Sequence, residues 1–596
     1  MPSRYSLPLL ALALVAGAPS LRAQVDPRPA PSTPIAPDSA PPEARAQDAI
    51  SSIDGDTVPS VPPLPAVTVP GTAAPARGWQ AWPDVRPLYA VGGAEEEALR
   101  MAQLRGEAPL PGFLLRSPSS LAPSAPNRRP RGWIIAPEVQ YGWNSAIPFG
   151  LNDGAMWSGK GSTILLRGGV GFEAGPRRVV FAPEFTHAAN AAFDSLIPPA
   201  WIPREPHEFL PPWLQGEHSI DLPYRMGTSA VESSRLGQSS VTLTAGPVAM
   251  GASSENEWWG PGTRNALLLS NQAAGFNHVF VRTARPLRTP LGWLDARWIS
   301  GALKDTEWFA LERPDESEWR SLSGAGIVLS PGKGFSLGVA RTVLTPADDA
   351  TDALTRGTAV FTRWRKVGDP DDPDRYEQIT SVWGRVVVPE QGAEFYVEWA
   401  RTRLPSNFRA LLETPEHTQG YTLGVQWLRP AGPGEIRLQA EHTYLEESPT
   451  YAWLTTGSWY ASNAIKQGYT HEGQPLGASV GPGASGQWVA VDWLRGRGRG
   501  GVFAGRIRWA EDAYYDRPGA TPNHLGHDVS LLGGMRGVLP VGPVRLDLEY
   551  VLQKRYNYLF QSRAGGFNDR ELTENVVNHT LRLGITAAGP RLGRAR

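Results

Sequence analysis

The chain has 596 residues, and its 57 Lys and Arg nearly balance its 58 Asp and Glu, which gives a formal net charge of −1. This neutral balance lacks the positive charge that nucleic-acid-binding proteins use, so no nucleic acid is expected as a partner. The absence of Cys excludes thiol catalysis, disulfide scaffolds and Cys-held metal clusters. Abundant Gly (64) and Trp (22), with 19% charged residues, favour β structure with many turns.

Residues 1–23 have the three parts of a secretory signal peptide. Arg4 is positive, Leu7 to Ala18 form an apolar run too short to span a bilayer comfortably, and Ala23 is a small residue before the predicted cleavage. No later sequence segment reaches the roughly 18 consecutive apolar residues of a membrane helix. The sequence therefore predicts an exported protein, either soluble outside the cytoplasm or built as a transmembrane β-barrel.

Two segments precede the predicted barrel. Residues 24–77 are rich in Pro, Ala, Ser and Thr and are predicted to form a disordered, extended linker, with a Pro-rich ligand for a partner as the alternative. Residues 78–129 are predicted to form a short helical segment on the periplasmic side. Within it, the stretch from Gly93 to Gly106 predicts one helix, because acidic residues fill its first turn, Arg lies near its end and Gly follows it.

The hydrophobic pattern changes to a period of two across residues 130–596. In residues 544–553, apolar side chains alternate with Arg, Asp, Glu and Gln. Similar alternation recurs at 241–245, 394–399, 421–427, 436–441 and 581–586. At about 25 residues per crossing, this region suffices for on the order of 18 strands. Such a sheet avoids exposed edges by closing, so the predicted fold is all-β: a large closed antiparallel transmembrane β-barrel with a short N-terminal helical segment.

A large secreted β-sandwich would show the same alternation. Charged residues on the polar faces favour the barrel, because they can line a wet lumen while the apolar faces meet lipid. The region is also too long for one ordinary sandwich. Aromatic residues near strand ends are typical of an interfacial girdle. They are Trp399, Trp427, Trp493, Trp509 and Tyr550.

Three motif-rich segments lie within the predicted barrel. The most unusual is N-x-WWGPG-x-x-N-x-L-x-L-S-N at 256–271, followed by GF-x-H at 275–278. The others are NDGAMW-x-G-x-G at 152–161 and GYTH-x-G-x-x-LG at 468–477. With the order of signal peptide, helical segment and long barrel, they resemble the Wzi-type capsule assembly proteins over about residues 80–596. The resemblance implies an outer-membrane barrel with helical parts at its periplasmic end and a lectin-like role in holding exported capsular polysaccharide.

The residues of these motifs suit sugar binding. Indole rings offer flat apolar faces to pyranose rings, Asn and acidic side chains hydrogen-bond hydroxyl groups, and Arg pairs with carboxylates. The predicted polysaccharide-binding residues are Trp258, Trp259, Arg264, Asn265, Tyr469 and His471. A structural role is the alternative: the two Trp residues could belong to the core or the girdle, and Gly260-Pro261-Gly262 could be a sharp turn.

The sequence therefore predicts a non-enzymatic outer-membrane barrel without metal or cofactor. Its expected partners are a capsular or exopolysaccharide, with an acidic polymer as one hypothesis, and outer-membrane lipid, with the capsule export machinery as a further candidate. A diffusive sugar or solute porin is the first alternative; an open lumen would mark the porin, and long loops folded inside would favour the lectin. A secreted glycan-active enzyme is the second, with Glu255 and Glu257 as its candidate acid and base, about 7 Å apart on one face of a strand.

Three further features carry weaker predictions. His524 and His527 would face opposite sides of a strand, which opposes shared metal binding. The acidic run 369–374 could bind Ca²⁺ but is more often a solvated loop. The Arg-Gly run 495–501 is predicted to be a basic turn, with contact to anionic lipid or acidic polysaccharide as an alternative. The basic C-terminal residues 591–596 lack the terminal aromatic residue common in outer-membrane barrels.

Overall fold

The computed structural model describes most of the chain downstream of the predicted linker. The described residues are 84–122, 130–193, 209–211, 218–312, 317–332, 334–364, 375–448, 457–516, 526–560 and 575–587. Several features of the sequence lie outside these ranges. They are the predicted signal peptide (1–23), the predicted linker (24–77), the acidic run (369–374), His524 and the basic C-terminal residues (591–596).

Strands dominate the secondary structure, and all elements are numbered in chain order. The strands are β1 (Val85–Arg86), β2 (Leu115–Arg116), β3 (Arg131–Asn144), β4 (Gly161–Ala174), β5 (Arg177–Phe181), β6 (Glu184–Ala188), β7 (Val231–Arg235), β8 (Ser240–Ala245), β9 (Val248–Ser253), β10 (Trp258–Trp259), β11 (His278–Thr283), β12 (Leu287–Thr289), β13 (Gly292–Lys304), β14 (Trp319–Gly332), β15 (Phe335–Ala347), β16 (Glu377–Val388), β17 (Ala393–Arg401), β18 (Gln419–Ala431), β19 (Gly434–Tyr444), β20 (Thr470–His471), β21 (Gln474–Pro475), β22 (Ser485–Arg495), β23 (Gly498–Arg508), β24 (Val529–Val541), β25 (Val544–Tyr556) and β26 (Val576–Ala587).

The helices are short. They are α1 (Ala94–Leu104), α2 (Pro118–Leu121), α3 (Glu307–Glu312), α4 (Ala350–Thr355), α5 (Ala359–Thr362), α6 (Phe408–Glu413) and α7 (Glu511–Asp516), with 3-10 turns at Pro389–Gln391 and Tyr558–Phe560. Helix α1 lies within the stretch for which the sequence predicts a helix, and Gly106 follows it at φ +75°. None of the helices in the described ranges is long and apolar enough to cross a membrane.

The main sheet closes on itself. Strands β13 to β19 and β22 to β26 follow one another round the sheet, and β26 pairs antiparallel with β3, with Thr580 opposite Asn144. From β3, the chain continues through β4, the short strands β5 to β9 and β11 back to β13. The result is a closed antiparallel barrel of 18 strands, which confirms the predicted fold class.

Side chains alternate between the two faces of the wall as the sequence predicts. On β25, Leu548 and Leu552 are 39% and 44% exposed on the outer face. On the inner face, Arg545 and Glu549 line a polar cavity. A band of exposed Val, Leu, Ile and Phe side chains therefore covers the outside, as lipid contact requires, and the charges face the lumen.

The two ends of the barrel differ in the length of their connections. At one end, hereafter the short-turn end, strands are joined by tight turns such as 432–433 between β18 and β19. At the other, the long-loop end, connections are long, such as 254–277 between β9 and β11 and 445–484 between β19 and β22. Barrels of outer membranes place short turns in the periplasm and longer loops outside the cell.

The predicted aromatic girdle is partly confirmed. Trp427 and Trp493 are 41% and 43% exposed on the outer face near the short-turn end. Trp509 differs. It comes directly after β23 and lies on the same, inward side as the buried Ile507 two residues earlier, and it lines an internal cavity. The girdle prediction was therefore wrong for Trp509, because nearness to a strand end does not determine which face a residue takes.

Candidate functional site

The N-terminal segment 84–122 closes the short-turn end of the lumen. Its β1 strand pairs with β3 on the wall, and the N–H of Gly112 donates to Oδ2 of Asp295 on β13 at 2.7 Å. Its β2 strand pairs with β10, which belongs to the loop 254–277. The segment therefore joins distant parts of the wall to a loop that enters from the other end.

Helix α1 is fixed to the inner wall by ion pairs. Nε of Arg100 donates to Oε2 of Glu394 on β17 at 3.1 Å, and both residues are buried. Glu97 accepts a hydrogen bond from Arg437 on β19 at 2.5 Å and also pairs with Arg499 on β23. Burial raises the pKa of Glu97, but the two guanidinium groups outweigh it and hold the pKa at about 2. The carboxylate thus stays charged, and the helix stays bound to the wall, at neutral pH.

The Trp-rich motif forms a middle layer inside the barrel. Trp258 is 1% exposed and Trp259 is 0% exposed. The guanidinium of Arg116 lies 5.2 Å from the ring centroid of Trp258, and Nε1 of Trp259 donates to Oε2 of Glu257 at 3.0 Å. Neither indole offers a face to a ligand in this conformation. A direct sugar contact by the pair stays a prediction, and the packing favours the structural alternative.

The turn after the two Trp residues is held by carboxylates of the wall. Gly260 has φ +110°, and a Cβ there would lie 2.8 Å from the carboxylate of Glu398. Glu441 on β19 accepts the backbone N–H groups of Thr263 and Asn265 at 2.7 and 2.8 Å. Only Gly tolerates both this φ and this approach, so the motif's Gly is explained by packing.

Arg264 and Asn265 are neighbours in the sequence but lie in different surroundings. The guanidinium of Arg264 lies 5.0 Å from the ring centroid of Trp488 and faces a polar lumen cavity of about 340 Å³. Asn265 is buried, and its Oδ1 accepts hydrogen bonds from the backbone N–H and the hydroxyl of Ser479, both at 2.9 Å. Arg264 is therefore accessible from a cavity, whereas Asn265 joins two loops.

Glu255 and Glu257 are both engaged in packing. Glu255 is 1% exposed and accepts from the hydroxyl of Ser240 at 2.9 Å. Glu257 pairs with Arg297 and His278. Burial raises the pKa of Glu257, but Arg297 and then His278 outweigh it, so the net shift is downward. A glycosidase acid needs a raised pKa, so this environment does not suit the predicted acid and base.

The described part of the loop 445–484 forms an outer layer. The hydroxyl of Tyr469 donates to Oγ1 of Thr342 on the wall at 2.8 Å, and Tyr469 is 4% exposed. The hydroxyl of Tyr460 donates to the carbonyl of Leu267 at 2.9 Å. The outer loop thus rests on the Trp-rich loop, and the Tyr469 ring is held in the interior rather than displayed.

His471 lines a cleft of about 820 Å³ near the long-loop end, hereafter the charged cleft. The ring of His471 accepts the backbone N–H of Lys304 at Nδ1, 3.1 Å away, and burial lowers its pKa to about 4. The cleft also contains the half-buried indoles of Trp157 and Trp308. Its ionisable lining residues are Glu232, Arg235, Lys304, Asp305, Glu307, Glu318, His471 and Glu472.

The structure therefore separates the six predicted site residues. Trp258, Trp259, Asn265 and Tyr469 are buried among the layers, Arg264 faces the lumen cavity, and His471 faces the charged cleft. Sequence reasoning missed Trp308 on helix α3 and Arg235 at the end of β7, which carry no local motif. The Trp157 motif was noticed in the sequence but was not included among the predicted site residues.

The family model for the capsule assembly protein Wzi matches residues 159–499, which is more than half of the chain. The chain belongs to the Wzi family of capsule assembly proteins. No curated protein matches the sequence.

Three solved structures are similar to this chain, and the first of them, with a TM-score of 0.50, shows the same fold. Escherichia coli Wzi, described as a carbohydrate-binding outer-membrane β-barrel, is 12% identical to this member of the Wzi family, with a TM-score of 0.50, over 76% of this chain and 84% of that one. Pseudomonas putida OprB is 10% identical over 76% and 94% of the two chains, with a TM-score of 0.32. Pseudomonas aeruginosa OpdL is 9% identical over 78% and 99%, with a TM-score of 0.35.

Proposed function

We propose that this protein resides in the outer membrane, binds exported capsular polysaccharide at its long-loop end and helps attach it to the cell surface. The observation that carries the proposal is the filling of the lumen. The N-terminal segment 84–122, the loop 254–277 and residues 457–484 pack on one another inside the wall. A diffusive porin needs an open passage, so this packing favours a binding protein over the porin.

The charged cleft supplies the groups that a polysaccharide contact needs. Trp157 and Trp308 offer aromatic faces, and Arg235 and Glu472 offer hydrogen bonds to hydroxyl groups. A polymer crossing this cleft would make many weak contacts, and repeated sugars would rebind at neighbouring positions. Retention would then come from avidity more than from one tight pocket.

The charges of the cleft indicate which class of polymer the cleft would prefer. Arg235 pairs with Glu472, and Lys304 lies 3.4 Å from Glu318. Further acidic residues remain on the lining without a matching number of basic ones. We therefore propose that the bound stretch of polymer is uncharged or carries amino groups, since repulsion would disfavour a dense run of carboxylates.

Outer-membrane lipid and the capsule export machinery are two further candidate partners. The exposed apolar band on the outer wall fits outer-membrane lipid. The capsule export machinery stays a candidate partner, and only membership of the family supports it.

The buried environments of Glu255 and Glu257, in which Glu255 is hydrogen-bonded and Glu257 is ion-paired, support a role without catalysis.

The test is capsule retention by cells that make the protein. Deleting its gene should release capsular polysaccharide into the medium, and the full-length protein should restore retention. The cleft variant Trp308→Ala, His471→Ala should reach the membrane but restore little, whereas Trp427→Ala, on the outer face, should restore it fully. Full retention by cells without the protein would refute the proposal. A large open conductance of the purified barrel in planar bilayers would favour the porin instead.

A further inference from the structure

A second cavity lies beside the charged cleft and has a different chemistry. It has a volume of about 200 Å³ and is hereafter the aromatic cavity. Its aromatic lining residues are Phe149, Trp157, Tyr224, Trp509, Tyr558 and Phe560. Trp157, Tyr224 and Trp509 are half-buried, so parts of their rings face the cavity, in contrast to the fully buried Trp258 and Trp259.

The rings are held in place by polar contacts at their edges. Nε1 of Trp157 donates to Oδ1 of Asn190 at 3.1 Å, and Nε1 of Trp509 donates to Oγ of Ser530 at 2.8 Å. The guanidinium of Arg555 also lies over one face of the Trp509 ring, 4.8 Å from its centroid. The rings are therefore positioned before any ligand arrives, which lowers the ordering cost of binding.

The charged groups at the cavity are already paired. Nε and Nη2 of Arg555 donate to the two oxygens of Asp528 at 2.7 and 2.6 Å. Asp153, the other acidic lining residue, pairs with Arg582 at 2.9 Å. A charged ligand would have to compete with these ion pairs, so an uncharged one is favoured.

Strained backbone also surrounds the cavity. Leu559 and Phe560 are consecutive residues in the left-handed region, at φ +55° and +58°, and Ala510 has φ +44°. The N–H of Leu559 donates to Asp528 at 2.9 Å, which helps hold this turn. Non-Gly residues in this region cost free energy, and such strain clusters at binding sites.

The aromatic cavity is joined to the charged cleft through shared residues. Trp157 and Gln474 line both. Oε1 of Gln474 accepts a hydrogen bond from Nε2 of Gln272, 3.1 Å away. The amide N–H₂ of Gln474 has no acceptor among the described residues and can donate to a ligand hydroxyl. Pockets that hold drug-sized ligands have about 300–1,000 Å³, so this smaller volume suits one ring rather than an oligosaccharide.

We propose that the aromatic cavity is a binding subsite for one uncharged pyranose ring of the polysaccharide, with Trp157 and Trp509 as stacking faces. The inference rests on the proposed function and adds a position and a sugar class to it. The polymer would run along the charged cleft and place one residue, in the chain or at its end, past Trp157 into the aromatic cavity.

The test uses the full-length barrel in detergent and capsular polysaccharide purified from the same cells, with binding followed by tryptophan fluorescence. Trp509→Ala and Gln474→Ala should each weaken binding by about tenfold, equivalent to about 1.4 kcal/mol. Trp509→Phe should recover most of the affinity, and Trp427→Ala should bind as the wild type does. Heat-modifiable gel mobility shows whether each variant folds. If Trp509→Ala does not fold, the binding of Gln474→Ala decides whether the subsite exists.

Competition with single sugars tests the sugar class. An uncharged methyl hexopyranoside should displace the polymer more effectively than the matching hexuronate. Equal affinity of wild type, Trp509→Ala and Gln474→Ala, or stronger competition by the hexuronate, would overturn the subsite and leave the proposed function standing. If the wild type itself fails to bind the polysaccharide, the proposed function fails and the subsite fails with it.

Discussion

One carboxylate of the barrel wall, Glu441, accepts the backbone N–H of Asn265 at 2.8 Å. The same carboxylate accepts the N–H of Thr263 at 2.7 Å and the hydroxyl of Tyr396 at 2.6 Å. It therefore fixes the turn that ends the Trp-rich motif to the inner wall. Hydrogen bonds to a buried charge are strong and costly to lose, so this contact is central to the position of the inward-folded loop.

Replacing Glu441 by Ala should loosen that loop without removing a wall strand. Each hydrogen bond to a charged group contributes about 1.5–3 kcal/mol, so the variant should lose its folded gel mobility at a clearly lower temperature. Glu413→Ala removes an exposed ion pair with Arg409 and should behave as the wild type within about 1 kcal/mol. Equal transition temperatures of the gel mobility for both variants would show that Glu441 does not hold the loop.

The two buried indoles should matter for assembly. Truncating a buried Trp to Ala costs about 3–5 kcal/mol, so Trp258→Ala, Trp259→Ala should reduce the folded fraction of the barrel. The control Trp427→Ala, Trp493→Ala removes two indoles of the outer face and should fold normally. If the Trp258, Trp259 variant assembles fully and yet loses polysaccharide, the pair binds sugar directly, as the sequence motif first indicated.

Asp305 should make stability depend on pH. Burial raises its pKa to about 7 in the folded state, against an ordinary value of 3.8 for an Asp carboxyl. Between these values the folded protein holds a proton that the unfolded chain has lost, so this residue's contribution to stability falls as pH rises from about 4 to about 7. Asp305→Asn should therefore gain stability relative to the wild type between pH 4.5 and pH 8.

The temperature of the gel-mobility transition, measured at both pH values, checks this expectation. Asp348→Asn, which changes an exposed carboxyl, is the control and should show no such relative gain. A constant difference between wild type and Asp305→Asn across the pH range would contradict the raised pKa.

The N-terminal segment should limit conductance. Removing residues 84–122 takes away the layer that contains β1, helix α1 and β2 but leaves the wall strands from β3 onward. This deletion should raise the single-channel conductance in planar bilayers. Arg100→Gln weakens the ion pair with Glu394 and should raise the conductance less than the deletion does. Unchanged conductance after the deletion would mean that the other two layers close the lumen by themselves.

The wall could be predicted from the sequence because its information is local. Alternation along residues 544–553 directly shows which side chains face lipid and which face the lumen. The acidic first turn and following Gly likewise predicted helix α1. Trp509 was placed wrongly because its face depends on strand parity, and the buried Ile507 two residues earlier already indicates the inward side.

The interior could not be predicted in the same way. Aromatic, amide and Arg side chains serve equally for stacking on sugar and for packing inside a plugged barrel, so the motif around Trp258 fits both. The contacts that decide between the two uses join residues that are far apart in the sequence, since Glu441 is 176 residues from Asn265. Trp308 on α3 and Arg235 on β7 line the same cleft only once the barrel has folded, and no local spacing in the sequence indicates this.

Direct binding between the purified full-length barrel and capsular polysaccharide from its own cells tests the central claim. Immobilised barrel should retain this polymer, and Trp308→Ala, His471→Ala should retain much less, while Trp427→Ala matches the wild type. An unrelated polysaccharide, dense in carboxylates, should be retained weakly. Failure of the folded wild-type barrel to retain its own cells' polymer would contradict a polysaccharide-binding role.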